Sequence, residues 1–283
     1  ILPKCSPNPF PKEKFFFIYP SISRHPMKLS PLFLAFSLLI LFSCSSKNTD
    51  PAPRLEQPEE FKKLLDAHGD WSKWVEAKSF TYNMVHETNL AWENHYVDLV
   101  GRKVRVDADN FQIGNDGEKV WISPNRQAFE GQSVRFYHNL YFYFYSIPYI
   151  FTDPGVNVQK TEPKLLNGTS YEAFQVSFDP EVGDSSGDKY FMLVDPETGR
   201  LAWLLYSVTF FNKENTKMNA LKYEDYRDAD GLVFPRILTG YTYENDSTRD
   251  IRYQVSFTGP LLVNEEMDED LFAMPKKNAV VAN

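Results

Sequence analysis

Cysteine is almost missing from this chain: two in 283 residues, at positions 5 and 44. Cys5 falls in a segment expected to be discarded, so no internal disulfide is available and ordinary apolar packing must hold the fold together. Basic charge is also in short supply. Thirty Lys and Arg stand against 38 Asp and Glu, a formal net charge of −8. Phosphate neutralisation needs clustered cations, so nucleic acid is not expected as a partner. Glycine is scarce at 13 residues. No Gly-x-Ser-x-Gly elbow, Walker loop or Gly-x-Gly-x-x-Gly fingerprint is present. The five histidines form no His-x-x-x-His or Glu-x-x-His pattern, so neither a metal nor a cofactor is implied. His86 and His95 are placed to meet across a hairpin, an arrangement more usual for packing than for ligation. No apolar run reaches the roughly 20 residues that span a bilayer.

What is present begins with an address. Five basic residues (Lys4, Lys12, Lys14, Arg24, Lys28) and one acidic residue (Glu13) fall within residues 1–44. The remainder is therefore more acidic than the whole. Residues 1–26 are Pro-punctuated and carry no period, and Met27 is the expected start, with 1–26 an upstream extension. Met27-Lys28 and the apolar run Pro31–Phe42 have the form of a signal peptide over 27–43. The run ends Leu41-Phe42-Ser43-Cys44-Ser45, which resembles the lipobox of bacterial lipoproteins, with Phe42 a departure from the usual small residue. The resemblance implies acylation of Cys44 and anchoring by buried acyl chains. Ser45 after the cysteine, by the same resemblance, implies the outer membrane, facing the periplasm. Residues 44–57 are polar and contain proline, and read as a flexible tether.

From residue 58 to 276 the pattern predicts one domain, with a tail over 277–283. Phe61, Leu64, Leu65 and His68 fit one face of a helix, begun by Pro58-Glu-Glu and closed by Gly69. Period two then dominates, first in Phe80, Tyr82, Met84 and His86. Asn115-Asp-Gly117 predicts a hairpin, and Asp195-Pro-Glu-Thr-Gly199 and Asp228-Ala-Asp-Gly231 predict turns. The segment 133–150 alternates as a strand or turns as a helix, and the helix, with Phe136, Leu140, Phe144, Tyr137 and Tyr141 on one side, is preferred. About ten strands emerge without crossover helices, so the fold class is mainly β with a few helices. So many twisted strands must curl, close or split. The expectation is a strongly curved antiparallel half-barrel whose concave face is covered by the first helix and the 133–147 segment.

Three stretches resemble the LolA/LolB-type lipoprotein-carrier superfamily. They are Asp195-Pro-Glu-Thr-Gly-Arg-Leu201, the run from Tyr223 to Pro235, and Val263-Asn-Glu-Glu-Met-Asp-Glu-Asp-Leu-Phe-Ala-Met-Pro275. The pieces Ala67-His-Gly69 with Trp74, Phe136–Asp153 and Tyr190–Tyr226 are similar to an uncharacterised family of Gram-negative lipoproteins, a domain of unknown function. The first resemblance implies a curved sheet cupping a lipid under helical lids; the second implies no activity.

No catalytic residue is expected. His68 invites a reading as a base near a cavity mouth, against a plain helix-terminal histidine. The expected ligand-contacting residues are Tyr137, Tyr141, Phe144, Tyr145, Trp203 and Arg135, with tyrosine hydroxyls orienting a polar head and Arg126 or Arg135 pairing with an anionic one. The function expected is a monomeric, membrane-anchored lipoprotein that binds a lipid or acylated protein as carrier or acceptor. A non-catalytic envelope interaction module and a hydrolase with an unrecognised site stand as rivals.

Overall fold

The computed structural model describes residues 57–180, 185 and 187–282. Expectations for residues 1–26, the signal segment 27–43, Cys44 and the tether up to residue 56 lie outside the described residues.

The chain first forms α1 (Glu59–Ala67) and α2 (Ser72–Glu76). Pro58 precedes α1 with φ −53°, already suited to a helix start, and Glu59 and Glu60 sit where the dipole favours acid. Phe61, Leu64 and Leu65 are buried, and Phe61 meets Phe174 at 6.2 Å between ring centroids. Gly69 ends the turn with φ +101°, a conformation suited to glycine.

A first meander follows: β1 (Ser79–His86), β2 (Ala91–Asp98), β3 (Val104–Ala108), β4 (Gln112–Asn115) and β5 (Val120–Ser123). The hairpin predicted at Asn115-Asp-Gly117 joins β4 and β5, with Asn115 accepting from the Gly117 amide at 2.9 Å. The helical segment comes next as α3 (Val134–Tyr137) and α4 (Leu140–Ser146), then a single tight turn over Tyr149–Thr152. The helix preferred for this stretch is observed, broken at His138-Asn139. A second meander completes the domain: β6 (Val156–Leu166), β7 (Thr169–Phe178), β8 (Tyr190–Val194), β9 (Leu201–Tyr206), β10 (Asn219–Ala229), β11 (Leu232–Glu244) and β12 (Ser247–Val263). Val280–Val281, in the expected tail, pair as β13 with Ile122 and Trp121 of β5.

All thirteen strands make one antiparallel sheet in the order β13-β5-β4-β3-β2-β1-β12-β11-β10-β9-β8-β7-β6. The two meanders are zipped together where β1 pairs with β12. The sheet does not close, and its strand number forces the curvature expected of a half-barrel. This order explains the helical segment. β5 and β6 follow each other in sequence but lie near opposite edges, so residues 124–155 must cross a face of the sheet. The crossing segment is apolar because that face is the core: Phe80, Tyr82 and Met84 of β1, Phe234 and Leu238 of β11 and Phe257 of β12 are all buried there with Phe142, Tyr145 and Tyr149. A smaller cluster of Leu166, Ala173, Leu193, Trp203, Leu205 and Ala220 packs separately from it.

The strand count exceeds the expected ten for two reasons. β6 is an edge strand with Lys160, Glu162, Pro163 and Lys164, a polar run typical of protected edges and weak as a strand signal. β13 is only two residues long. β9 ends at Tyr206, and β12 runs from Ser247 to Val263.

Candidate functional site

The crossing segment does not fill all the space beneath it. A cavity of about 360 Å³ remains between it and the β6–β9 half of the sheet, within the usual range of roughly 300–1,000 Å³ for ligand pockets. Phe136, Leu140, Phe144, Ile147, Ile150 and Phe151 form its helical wall, and Val156, Phe178, Tyr190, Tyr206 and Val208 its other wall. The rings prop one another apart. Phe144 meets Tyr206 edge-on at 4.9 Å, Phe151 meets Tyr190 at 6.0 Å, and Phe178 meets Tyr190 at 5.6 Å. Arg102, Arg135, Asn139, Asp153 and Asp188 supply the polar part of the lining. Burial raises the Tyr190 and Tyr206 phenols above their ordinary range, so both are neutral at physiological pH. Burial also raises the Asp188 carboxyl, against hydrogen bonds that include the Thr209 amide at 2.6 Å. A recess of about 470 Å³ lies where β12 bulges against β1, but Arg227, Asp228 and Arg236 share its walls with apolar groups.

The expected contact residues separate into three places. Phe144 and Arg135 line the cavity. Tyr137, Tyr141 and Tyr145 are turned about 100° from the Phe136–Leu140–Phe144 stripe, because each is one residue further round the helix. They pack against β1, β2 and β12. Tyr145 stacks on Phe257 with centroids 4.0 Å apart, and Tyr141 meets His86 edge-on at 5.5 Å. Trp203 belongs to the separate cluster and packs on Tyr241 at 5.6 Å, whereas its neighbours Leu204 and Tyr206 belong to the main core. Strand alternation sends adjacent residues to opposite faces, so a choice one position off reverses the side. Arg126 is engaged elsewhere, bonding the carbonyls of Phe129 and Gly131, each at 2.5 Å.

Beside the cavity lies a buried polar network centred on Glu93, a residue the sequence reading did not single out. Tyr137 donates to Glu93 Oε1 at 2.6 Å, and His86 Nε2 and His95 Nε2 lie 3.2 and 2.9 Å from the two carboxylate oxygens. Tyr82 meets His95 Nδ1 at 3.1 Å. His86 and His95 thus meet through Glu93. Burial pushes this carboxyl up, but the bonds from His86 and His95, the pull of His95 and the bond from Tyr137 outweigh it and hold it at about 2. An ionised carboxylate only accepts, so both facing histidine nitrogens carry hydrogens. Among the described residues no group of three His, Cys, Asp or Glu is placed to hold a metal.

His68 is a core residue. Its Nδ1 lies 2.8 Å from the Leu64 carbonyl, and its Nε2 accepts from the Leu201 amide at 3.4 Å. Burial lowers it to about 4, so it is neutral at physiological pH. It does not line the cavity.

No curated protein matches the chain. A LolA superfamily protein from Nitrosomonas europaea is similar at 9% identity and a TM-score of 0.45, over 75% of this chain and 96% of that one. A putative outer membrane lipoprotein-sorting protein domain from Vibrio parahaemolyticus is similar at 9% identity and 0.40, over 74% and 96%. A DUF1329 family protein from Desulfovibrio piger is similar at 8% identity and 0.40, over 70% and 93%. Residues 115–242, which include the helical segment and strands β6–β10, match the family of unknown function DUF6503.

Proposed function

We propose that this protein is a non-catalytic envelope lipoprotein that holds a hydrophobic ligand, a lipid or the acyl chain of an acylated protein, as carrier or acceptor. The observation that carries the reading is the apolar cavity of about 360 Å³ under the crossing segment, with an aromatic lining and a few polar groups. Burying an apolar chain there is favoured by about 25 cal/mol for each Å² removed from water. Among the described residues the lining pairs no Ser or Cys nucleophile with a histidine base, which supports binding over hydrolysis.

Cys44, directly behind the apolar run, supports attachment by acylation to the outer membrane on the periplasmic side. Such an anchor would keep a monomeric domain close to the bilayer that would supply or receive its ligand.

The test is mass spectrometry of the protein purified gently from envelopes, analysed natively and after organic extraction. The expected result is an acyl modification at Cys44 and a separate, near-stoichiometric lipid lost on extraction. A bare mass that gains nothing on incubation with envelope lipids would overturn the binding role. An unmodified Cys44 would overturn the anchor.

A further inference from the structure

We infer that the polar end of the ligand is a hydrogen-bond donor, a hydroxyl or an ammonium, and that Asp188 in the cavity wall selects it. This rests on the cavity being the binding site proposed above.

The charged groups of the lining are Arg102, Arg135, Asp153 and Asp188. Three of them are already engaged. Arg102 Nη2 pairs with the Asp153 carboxylate, so those two charges offset each other, and Arg135 has contacts of its own. Asn139 and Ser185 can donate or accept, so neither chooses the polarity of a ligand. Asp188 stands apart. Among the described residues no cation pairs with it, and its partners are Thr209 and the Tyr190 hydroxyl.

The two oxygens of this carboxyl are not equally served. Oδ1 accepts from the Thr209 amide at 2.6 Å, and the Thr209 side chain also favours the charged form. Oδ2 receives only the Tyr190 hydroxyl at 3.4 Å, beyond the range of about 2.5–3.0 Å for a good O–H···O bond. A carboxylate has about four lone-pair positions, so accepting capacity is left over. Asp188 is only 8% exposed, so water can serve little of it, and a buried charge without a partner is costly. A hydroxyl or ammonium on the ligand supplies the missing donor in an apolar surrounding. A carboxylate or phosphate head would instead meet Asp188 as a like charge.

The sheet presets where this acceptor stands. Pairing of β8 with β9 continues past the strand ends, the Ser207 amide donating to the Lys189 carbonyl at 3.0 Å and the Lys189 amide to Ser207 Oγ at 2.9 Å. Strand alternation then puts Asp188 on the same side as Tyr190, and both line the cavity with Tyr206 and Val208 of the facing segment. An acceptor fixed by the scaffold cannot turn away from a mismatched ligand, which is what selection requires. Dodecyl chains suit the volume. A dry cavity of roughly 150 Å³ accepts one benzene ring, so about 360 Å³ has room for about a dozen carbons.

The test is displacement of the neutral dye N-phenylnaphthylamine from the purified protein, at neutral pH, by dodecylamine, dodecanol, methyl dodecanoate and dodecanoate. The first two carry donors, the ester only accepts, and dodecanoate is an anion. The matching donor is expected to compete about tenfold more tightly than the ester, the difference one charge-assisted hydrogen bond gives. Dodecanoate should compete more weakly than the ester. Tighter competition by dodecylamine assigns the polar end to an ammonium, and by dodecanol to a hydroxyl. Asp188→Leu should lose the preference for either donor while the ester competes as before. Asp188→Asn keeps an oxygen for the Thr209 amide and should weaken the preference, so it keeps the test open if Asp188→Leu fails to fold. Three results overturn the assignment and leave the cavity reading standing: an ester that competes as tightly as both donors, tighter competition by dodecanoate, or a preference undiminished in the folded variants. If neither the dye nor any chain binds, both fall.

Discussion

Tyr137 on α3 donates its hydroxyl to the buried carboxylate of Glu93 on β2 at 2.6 Å, tying the crossing helices to the first meander. The same tyrosine lies 2.9 Å from His86 Nε2 and packs on Phe129 at 4.8 Å. Tyr137→Phe keeps the ring and removes one bond to an ionised, buried acceptor. It is expected to cost about 1.5–3 kcal/mol in urea unfolding. Amide exchange should quicken over residues 134–146, because α3 loses its polar fixing point. An unchanged unfolding midpoint would show that the network does not hold the segment.

Acid sensitivity should come in two stages. His68 is held at about 4 against an ordinary 6.5. Between those values the unfolded chain binds a proton that the folded chain refuses, so stability falls as pH drops from 6.5 to 4. The size is about 3 kcal/mol. Glu93 is held at about 2 against an ordinary 4.5, and its contribution is lost as pH falls from 4.5 toward 2. Urea midpoints measured across pH should show the first slope in the parent protein and lack it in His68→Gln.

The α1–α2 corner is predicted to be intolerant of a methyl group. Gly69 has φ +101°, and a Cβ there would lie 2.1 Å from the Gly231 carbonyl oxygen, a backbone atom held by the Asp70 amide at 2.9 Å. Gly69→Ala should cost more than about 3 kcal/mol, combining backbone strain with a clash that cannot relax cheaply. Gly231→Ala also has a positive φ, but its nearest neighbour is the flexible Lys73 ammonium at 3.2 Å, and it should cost only about 1 kcal/mol. Thermal melts of the two variants distinguish these expectations.

The fold was largely legible because its signals are local. Alternation at Phe80–His86, the Asn-Asp-Gly hairpin and the Pro58-to-Gly69 helix each specify an element without help from the rest. β6 was not legible, since an edge strand buries little and its Lys, Glu and Pro residues read as loop. The site was half legible. The Phe136–Leu140–Phe144 stripe can be read from the spacing, and it lines the cavity. Tyr137, Tyr141 and Tyr145 attract notice by their hydroxyls, yet a 100° step takes them to a different packing surface. Glu93 was invisible because its partners come from β1, β2 and α3, and no local pattern joins positions 82, 86, 93, 95 and 137.

The central claim is that the space beside Phe144 and Val208 is where a hydrophobic ligand sits. Val208 lines that space and is only partly buried, so Val208→Trp fills the cavity without disturbing the sheet. The decisive measurement is the lipid-to-protein ratio after gentle purification of the parent protein and Val208→Trp side by side, with melting curves of both. The account predicts near-stoichiometric lipid on the parent, almost none on the variant, and closely similar melting temperatures. Equal lipid on both, or none on either, would contradict it.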